Sequence, residues 1–199
     1  MRLNTRCPLS SDGISVPYNA VEYRMPCCGA VMGNIVLIGM PGAGKSTVGV
    51  ILAKTLGMDF VDTDLEIQRI HGRLLQDIID QDGIESFLRA EEQAVLQISA
   101  NRSVIATGGS VVYSSKAMAH LKQGAVVIYL KVALDALQRR IINMATRGIA
   151  MGKGQTLQDI YVQRTPLYEK YADIVVDCTH KDVEGVVGAI IDCLKRLNT

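Results

Sequence analysis

The sequence has no excess of either charge, and we therefore expect no nucleic-acid partner. Its 199 residues include 21 Lys and Arg against 20 Asp and Glu, which gives a net charge of +1. A protein that binds nucleic acid usually carries a basic excess or a basic stripe. Disorder across the chain is also excluded, because 48% of the residues are hydrophobic and 21% are charged, as in soluble globular proteins.

Long apolar runs are also missing. No run approaches the roughly 20 residues that a membrane span requires, and the N-terminus lacks the apolar stretch of about 7–15 residues typical of a secretory signal. Five cysteines form no CxxC pair and no Cys/His set with metal-ligand spacing: Cys7, Cys27, Cys28, Cys178 and Cys193. Unpaired thiols are typical of a reducing compartment. We therefore expect a cytoplasmic protein without a membrane partner.

The first 32 residues differ from the rest. Residues 1–31 hold three of the five cysteines and three of the five prolines, and they show no clear periodicity. We interpret residues 1–32 as a flexible leader, or as an extension translated from a start upstream of Met32. A transit peptide fits less well, because Asp12 and Glu22 accompany the arginines. Residues 33–199 then form one folded domain of common size.

From Asn34 onward, short apolar runs alternate with helical patterns. We predict strands at residues 35–38, 60–61, 104–106, 126–130 and 174–176. We predict helices at residues 45–56, 64–71, 74–80, 84–100, 157–171 and 183–197, and another from the fourth strand to about residue 144. Strands that are apolar throughout and lie between helices form parallel sheets covered on both faces. The predicted fold is therefore α/β, with three layers, double winding and a central parallel sheet of five strands.

A phosphate-binding loop follows the first strand. The pattern G-x-x-x-x-G-K-S is complete at Gly39, Gly44, Lys45 and Ser46, with a strand before it and a helix after it. Glycines let backbone N–H groups surround an anion, and the helix adds the positive end of its dipole. In such loops the lysine reaches the β- and γ-phosphates and the serine hydroxyl ligates Mg²⁺.

The loop alone does not define the reaction, because GTPases, ATPase motors and kinases all contain it. We find no N-K-x-D motif, which a GTPase would use to bind its base. Asp177 could imitate the strand-end aspartate of a motor ATPase, but a turn aspartate is the simpler interpretation so near the C-terminus. A short chain with the loop near its start favours a small-molecule kinase of the nucleoside-monophosphate type.

Two further pairs of residues lie where predicted strands end, at the same edge of the sheet as the phosphate loop. Ligands of open α/β sheets bind at this edge. Asp62 and Asp64 follow the second strand, and alternation in an extended segment would place both carboxylates on one side. One could hold Mg²⁺ through water and the other could take a hydroxyl proton; alternatively, Asp64 caps the next helix. Gly108 and Gly109 follow the third strand, where bare glycines allow a close ligand or simply form a turn.

These motifs together resemble the shikimate kinase family over residues 33–197. The resemblance rests on residues 39–47, 62–64 and 107–109, on Phe87 and Glu91, and on the R-x-P-L-Y run at 164–168. It implies a P-loop kinase domain at 33–199 that acts as a monomer. The reaction implied is transfer of a phosphate from ATP to the 3-hydroxyl of shikimate, a small hydroxy acid, in aromatic amino-acid biosynthesis.

The resemblance also implies the roles of individual residues. Catalysis would involve Lys45, Asp64 and Arg147. The nucleotide would contact Arg140 near the adenine, Arg147 on a mobile lid, and the loop residues Gly42, Ala43, Gly44, Lys45, Ser46 and Thr47. Mg²⁺ would be held by Ser46 and, through water, by Asp62. The acceptor would contact Asp64, Gly108, Gly109 and Arg164, with Arg164 on its carboxylate.

The sequence departs from this family at the acceptor site. In the family motif F-R-x-x-E, the arginine is the second residue that binds the acceptor carboxylate, and this chain has Leu88 at that position. Arg89 is one step further along the helix, so its side chain is rotated by about 100°. Ser110 stands for the usual third glycine, and the lid reads R-G-I-A at 147–150. Three hypotheses stay open: a shikimate kinase with one clamp arginine, a kinase for another small hydroxy acid or amino acid such as homoserine, and a weakly active nucleotide-binding paralogue.

Overall fold

The computed structural model describes Ile14–Ser15 and residues 33–141, 149–151 and 154–197. These residues form a sheet with the strand order β1-β6-β5-β2-β4-β3. The strands are β1 (Ile14–Ser15), β2 (Asn34–Ile38), β3 (Asp59–Asp62), β4 (Ser103–Ala106), β5 (Ala125–Lys131) and β6 (Ile174–Asp177). Strands β2 to β6 are parallel to one another, and β1 pairs antiparallel with β6. The predicted parallel sheet of five strands is confirmed, and the short β1 is added at its edge.

The helices lie between the strands, as the α/β prediction requires. They are α1 (Lys45–Leu56), α2 (Thr63–His71), α3 (Leu75–Asp82), α4 (Ile84–Leu96), α5 (Ser115–Leu121), α6 (Leu134–Ile141), α7 (Leu157–Tyr171) and α8 (Val183–Arg196). The predicted bounds of α1 and α7 agree with the structure to the residue. No helix in the described part of the chain is long and apolar enough to cross a membrane.

Helices cover both faces of the sheet. Leu37 of β2 lies beneath α1, where a Cβ added to Gly49 would be 3.4 Å from Leu37 Cδ1. Ile38, the next residue, pairs with Tyr129 of β5, and the Tyr129 ring stacks on Tyr168 of α7 at 5.0 Å between centroids. Because neighbouring side chains of a strand point to opposite faces, α1 and α7 lie on opposite sides. The three-layer prediction is therefore confirmed.

Apart from shifts of one or two residues at other helix ends, the structure differs from the helical predictions in two places, and the predicted helix end near residue 144 lies outside the described residues. The helix predicted to end at residue 100 ends at Leu96, and beyond it the Ile98 carbonyl contacts the His120 ring at 2.9 Å to Nε2. This partner, 22 residues away, holds the chain outside the helix. Helix α5 was not predicted, although Ser114 caps it by accepting from the Ala117 N–H at 3.0 Å.

The register of the parallel strands brings the carboxyl ends of β2, β3 and β4 to one edge of the sheet. Leu37 of β2 is level with Ala106 of β4, and Ala106 is level with Asp62 of β3. The loop after β2, the start of α2 and the turn after β4 therefore adjoin one another. This edge is the place where open α/β sheets bind ligands.

Candidate active site

The phosphate loop is folded by its glycines. Gly44 has a φ of 91°, which side chains rarely adopt, and α1 begins at the next residue. A Cβ at Gly39 would lie 2.7 Å from the Leu130 carbonyl, so only glycine fits there. The Ala43 N–H donates within the loop to the Met40 carbonyl at 3.1 Å. The N-terminus of α1 therefore opens directly into the site and offers N–H donors to an anion.

Lys45 lies inside this loop. Its Nζ donates to the carbonyls of Gly39 and Met40, at 2.8 and 3.0 Å. Burial lowers the pKa of Lys45 to about 8, and the nearby carboxylate of Asp64 opposes this effect. Ser46 and Thr47 follow in the first turn of α1, where they are exposed and line the cleft. The loop thus places one ammonium and two hydroxyls beside the α1 N-terminus.

The two aspartates differ in their local roles. Asp62 ends β3 and caps α2, because its Oδ1 accepts from the Asp64 N–H at 3.0 Å. The suggestion that Asp64 is the cap is wrong: Asp64 lies within the first turn of α2, and its side chain lines the cleft. Removal from water raises the pKa of Asp64 to about 6; the charge of Asp62 adds to this, and Lys45 opposes it.

The glycines after β4 are crowded by carboxylates. A Cβ at Gly108 would lie 2.1 Å from Glu91 Oε1 and 2.9 Å from Asp64 Oδ1. The Gly108 N–H donates to Thr63 Oγ1 at 2.9 Å, and the Gly109 carbonyl accepts from the Tyr168 hydroxyl at 2.6 Å. Both glycines line the cleft, as predicted, and the structure adds that protein carboxylates require the bare Cα of Gly108.

Glu91 was not assigned a role from the sequence, although the spacing of Phe87 and Glu91 was a signal for it. Its side chain is buried in α4 and lines the cleft. Its Oε2 accepts from the Ser110 hydroxyl at 2.6 Å, while Oε1 has no hydrogen-bond partner among the described residues. Burial raises the pKa of Glu91 to about 7, with the Ser110 hydrogen bond acting against it.

Arg164 lies on the opposite side of these glycines, on α7, and is only 1% exposed. Its Nε donates to the Tyr113 hydroxyl at 3.2 Å, and its Nη2 donates to the Ala150 carbonyl. Its Nη1 is buried without a partner in the described part of the chain, and it lies 3.2 Å from the Cβ position of Gly109. The guanidinium therefore keeps one donor free toward the cleft, which is suited to a carboxylate.

The other candidate cations are distributed as follows. Arg140 lines the cleft, and its Nη2 donates to the Cys178 carbonyl at 3.3 Å. Arg147 lies outside the described residues. Arg89 is exposed and donates to Ser86 Oγ at 3.1 Å, while Leu88 packs against a small apolar cluster around Phe87. Among the described residues, Arg89 is not part of the cleft lining, which agrees with its rotated position on the helix.

These groups share one cleft of about 330 Å³. It is lined by the phosphate loop together with Asp64, Glu91, the glycine turn and Arg164. A loop that binds phosphates beside a pocket with carboxylates and a free guanidinium donor is the arrangement of a P-loop phosphotransferase. Phosphoryl transfer in this class needs chiefly positioning and positive charge around the transferring group.

Comparison with known proteins identifies the family. The family model of shikimate kinase matches residues 41–195. The shikimate kinase of Nitrosospira multiformis is 40% identical over 151 residues, which are 74% of this chain and 77% of that protein. The shikimate kinase of Mycobacterium leprae is 38% identical over 159 residues, 78% and 79% of the two chains.

Solved structures agree. A shikimate kinase from Acinetobacter baumannii in complex with shikimate superposes with a TM-score of 0.77 at 29% identity, covering 83% of this chain and 94% of that one. The shikimate kinase of Aquifex aeolicus has a TM-score of 0.69 at 26% identity, covering 83% and 99%. The chain belongs to the shikimate kinase family. It is an ATP-dependent phosphotransferase that acts on a hydroxyl group.

Proposed function

We propose that this chain phosphorylates the 3-hydroxyl of shikimate with ATP. The observation that carries the proposal is the Nη1 of Arg164, which is buried without a hydrogen-bond partner among the described residues and lies beside the glycine turn of the cleft. An unpaired buried donor costs free energy unless a ligand completes it. The carboxylate of a small hydroxy acid would do so, and Arg164 lines the same cleft as the phosphate loop.

In the proposed reaction, Asp64 acts as the base. As the acceptor oxygen attacks the γ-phosphorus and the bond to ADP breaks, Asp64 takes the hydroxyl proton. A pKa of about 6 suits this role, because a base is most effective when its pKa is near the working pH. Lys45 and the α1 N-terminus stabilise the charge on the transferring phosphoryl group.

Mg²⁺ fits the oxygen donors beside the loop. Ser46 is an exposed hydroxyl in the first turn of α1, and Asp62 is a carboxylate at the end of β3. Mg²⁺ is usually held by one or two protein oxygens together with phosphates and water. When bound, the ion neutralises phosphate charge. We also propose that Arg140 lies near the adenine and that Arg147 belongs to a lid that excludes water.

Leu88 supports a second candidate function. Arg89 is exposed and bonded to Ser86, so Arg164 provides the guanidinium donor that the described residues direct at the glycine turn. A single clamp binds a carboxylate more weakly and accepts other acids. A kinase of the same family for a different hydroxy acid or amino acid, such as homoserine, is therefore the alternative acceptor class.

A coupled ADP-release assay tests these proposals. Purified protein is assayed with ATP and Mg²⁺ against shikimate, homoserine and a panel of small hydroxy acids. Release of ADP with shikimate, at a kcat/KM above that of every other acceptor, supports the proposed function. Preference for another acid supports the alternative. If no acceptor raises ADP release above the background hydrolysis, both candidates are wrong and a nucleotide-binding paralogue remains.

We further propose that the enzyme works as a cytoplasmic monomer. Cys178 and Cys193 are free and buried, as expected for thiols in a reducing compartment. The described residues place the loop, the carboxylates and the acceptor arginine in one chain. Size-exclusion chromatography with light scattering measures the mass directly, and a value of twice the chain mass contradicts the monomer.

A further inference from the structure

Glu91 is buried in the acceptor pocket with half of its carboxylate unpaired. It is 2% exposed, and the hydrogen bonds of the described residues give it one partner, the Ser110 hydroxyl on Oε2. Oε1 has none in this part of the chain. Buried polar atoms are almost always paired, and an exception inside a site indicates a ligand that completes it.

The free oxygen packs against the bare Cα of Gly108, close to Asp64 Oδ1. A point 1.5 Å or so from the Cα of Gly108, where a Cβ would stand, lies 2.1 Å from Glu91 Oε1 and 2.9 Å from Asp64 Oδ1. Two acceptor oxygens from different helices therefore border the bare face of one glycine. A group that donates hydrogen bonds, such as a hydroxyl of the acceptor, matches this pair.

Ser110 determines how Glu91 is held. Leu88 lies one helical turn before Glu91, where an arginine could contact its carboxylate, but Leu88 packs in an apolar cluster and offers no donor. The charged groups nearest to Glu91 are Asp64, Arg164 and Lys45. Only Ser110 is hydrogen-bonded to it in the described structure, so the hydroxyl selects which oxygen stays free.

We propose that Ser110 is a specificity-determining positioning residue, which fixes Glu91 Oε2 and presents Oε1 to a hydroxyl of the acceptor. Ser110 and Leu88 thus form a matched pair: the serine hydroxyl supplies the donor that Leu88 lacks. This role for Ser110 rests on the proposed function. It makes the preferred acceptor a polyhydroxylated acid, with its carboxylate on Arg164 and a hydroxyl on Glu91.

The first test is Ser110→Ala. Without the Ser110 hydroxyl, Glu91 Oε1 is no longer held for the acceptor hydroxyl. Loss of that hydrogen bond to the ligand weakens binding about tenfold, so the KM and calorimetric Kd for shikimate should rise by that factor. The KM for ATP should change less than twofold. Ser114→Ala is the matched control, because the Ser114 hydroxyl also donates to a glutamate of α4, Glu92, at 2.5 Å, outside the cleft. Equal effects of the two variants on shikimate affinity overturn the proposal.

A second test distinguishes the positioning of Glu91 by Ser110 from a general contribution of Ser110 to folding. Leu88→Arg should raise the shikimate affinity by a larger factor in the Ser110→Ala background than in the wild-type background. In both proteins the new guanidinium can reach the acceptor carboxylate, but only without the Ser110 hydroxyl does it also replace the donor that holds Glu91. Shikimate analogues that each lack one ring hydroxyl provide the second readout. For one analogue, the loss of affinity relative to shikimate should be smaller in Ser110→Ala than in the wild-type protein. If every analogue loses the same affinity in both proteins, the role of Ser110 is contradicted.

The two proposals fail in different ways. Binding of shikimate without turnover by the wild-type protein removes the proposed function and leaves the calorimetric comparison of Ser110→Ala valid. Turnover of shikimate with the same Kd for wild type and Ser110→Ala removes only the role of Ser110. Absence of any shikimate binding to the wild-type protein overturns both.

Discussion

Glu91 combines a buried carboxylate with one hydrogen-bond donor among the described residues, and its protonation should therefore affect stability. Burial raises its pKa from 4.5 to about 7 in the folded protein. The folded state thus holds a proton that the unfolded chain releases near its ordinary pKa. The stability gained by holding it is complete below about pH 4.5 and is lost as the pH rises through about 7.

The variant Glu91→Gln tests this at the residue scale, because glutamine stays neutral and can still accept from Ser110. Relative to wild type, its free energy of unfolding should rise by on the order of 3 kcal/mol between pH 4.5 and pH 7.5, since one pKa unit corresponds to about 1.4 kcal/mol. Urea unfolding of both proteins across this range measures the difference. If the free energies of unfolding of the two proteins change in parallel with pH, the pKa of Glu91 is not raised by folding.

Arg164 leads to a second prediction at this scale. Its three nitrogens serve Tyr113, Ala150 and the cleft, and lysine has one nitrogen for all three. Arg164→Lys should therefore raise the acceptor KM about ten- to a hundredfold and leave the KM for ATP nearly unchanged. The control Arg89→Lys alters an exposed arginine of α4 and should keep both constants. A comparable rise in both KM values in Arg164→Lys means that the side chain supports the fold, not acceptor binding.

At the scale of an element, Asp62 has two separable roles. It caps α2 through the Asp64 N–H, and we propose that its charge also helps to hold Mg²⁺. Asparagine is as good a cap as aspartate, whereas alanine costs about 1 kcal/mol. Asp62→Asn should therefore keep the melting temperature but require more Mg²⁺ for half-maximal activity. Asp62→Ala should lower the melting temperature and also require more Mg²⁺. An unchanged Mg²⁺ requirement in Asp62→Asn leaves capping as the only role.

At the scale of the whole molecule, the domain should fold without its first 31 residues. Strand β1 adds two antiparallel pairs to β6, Ile14 with Val176 and Ser15 with Val175, at the sheet edge away from the phosphate loop strand. A chain that starts at Met32 should therefore have the kcat and both KM values of the full chain. Its melting temperature should fall by only a few degrees, because two edge pairs contribute little. Loss of activity contradicts the assignment of residues 1–32 as a separate leader.

Much of the scaffold could be predicted because its signals are local. Helix α1 begins at Lys45 because Gly44 takes a positive φ, and α7 begins after Thr156, whose side chain forms a capping box with Asp159. Such signals require only neighbours within a few residues. Helix α5 has a signal of the same kind in Ser114, and it was missed only because the cap was not recognised.

The phosphate loop, the parallel sheet and the position of the cleft at its carboxyl edge were determined by the sequence alone, because spacing, glycines and apolar runs act over short distances. Only the tertiary structure decided which polar groups line that cleft and how they are paired. Glu91 meets Ser110 across 19 residues, and Arg164 meets Tyr113 across 51. Which oxygen of Glu91 and which nitrogen of Arg164 stay free depends on how α4, α7 and the glycine turn pack. No local pattern contains that information.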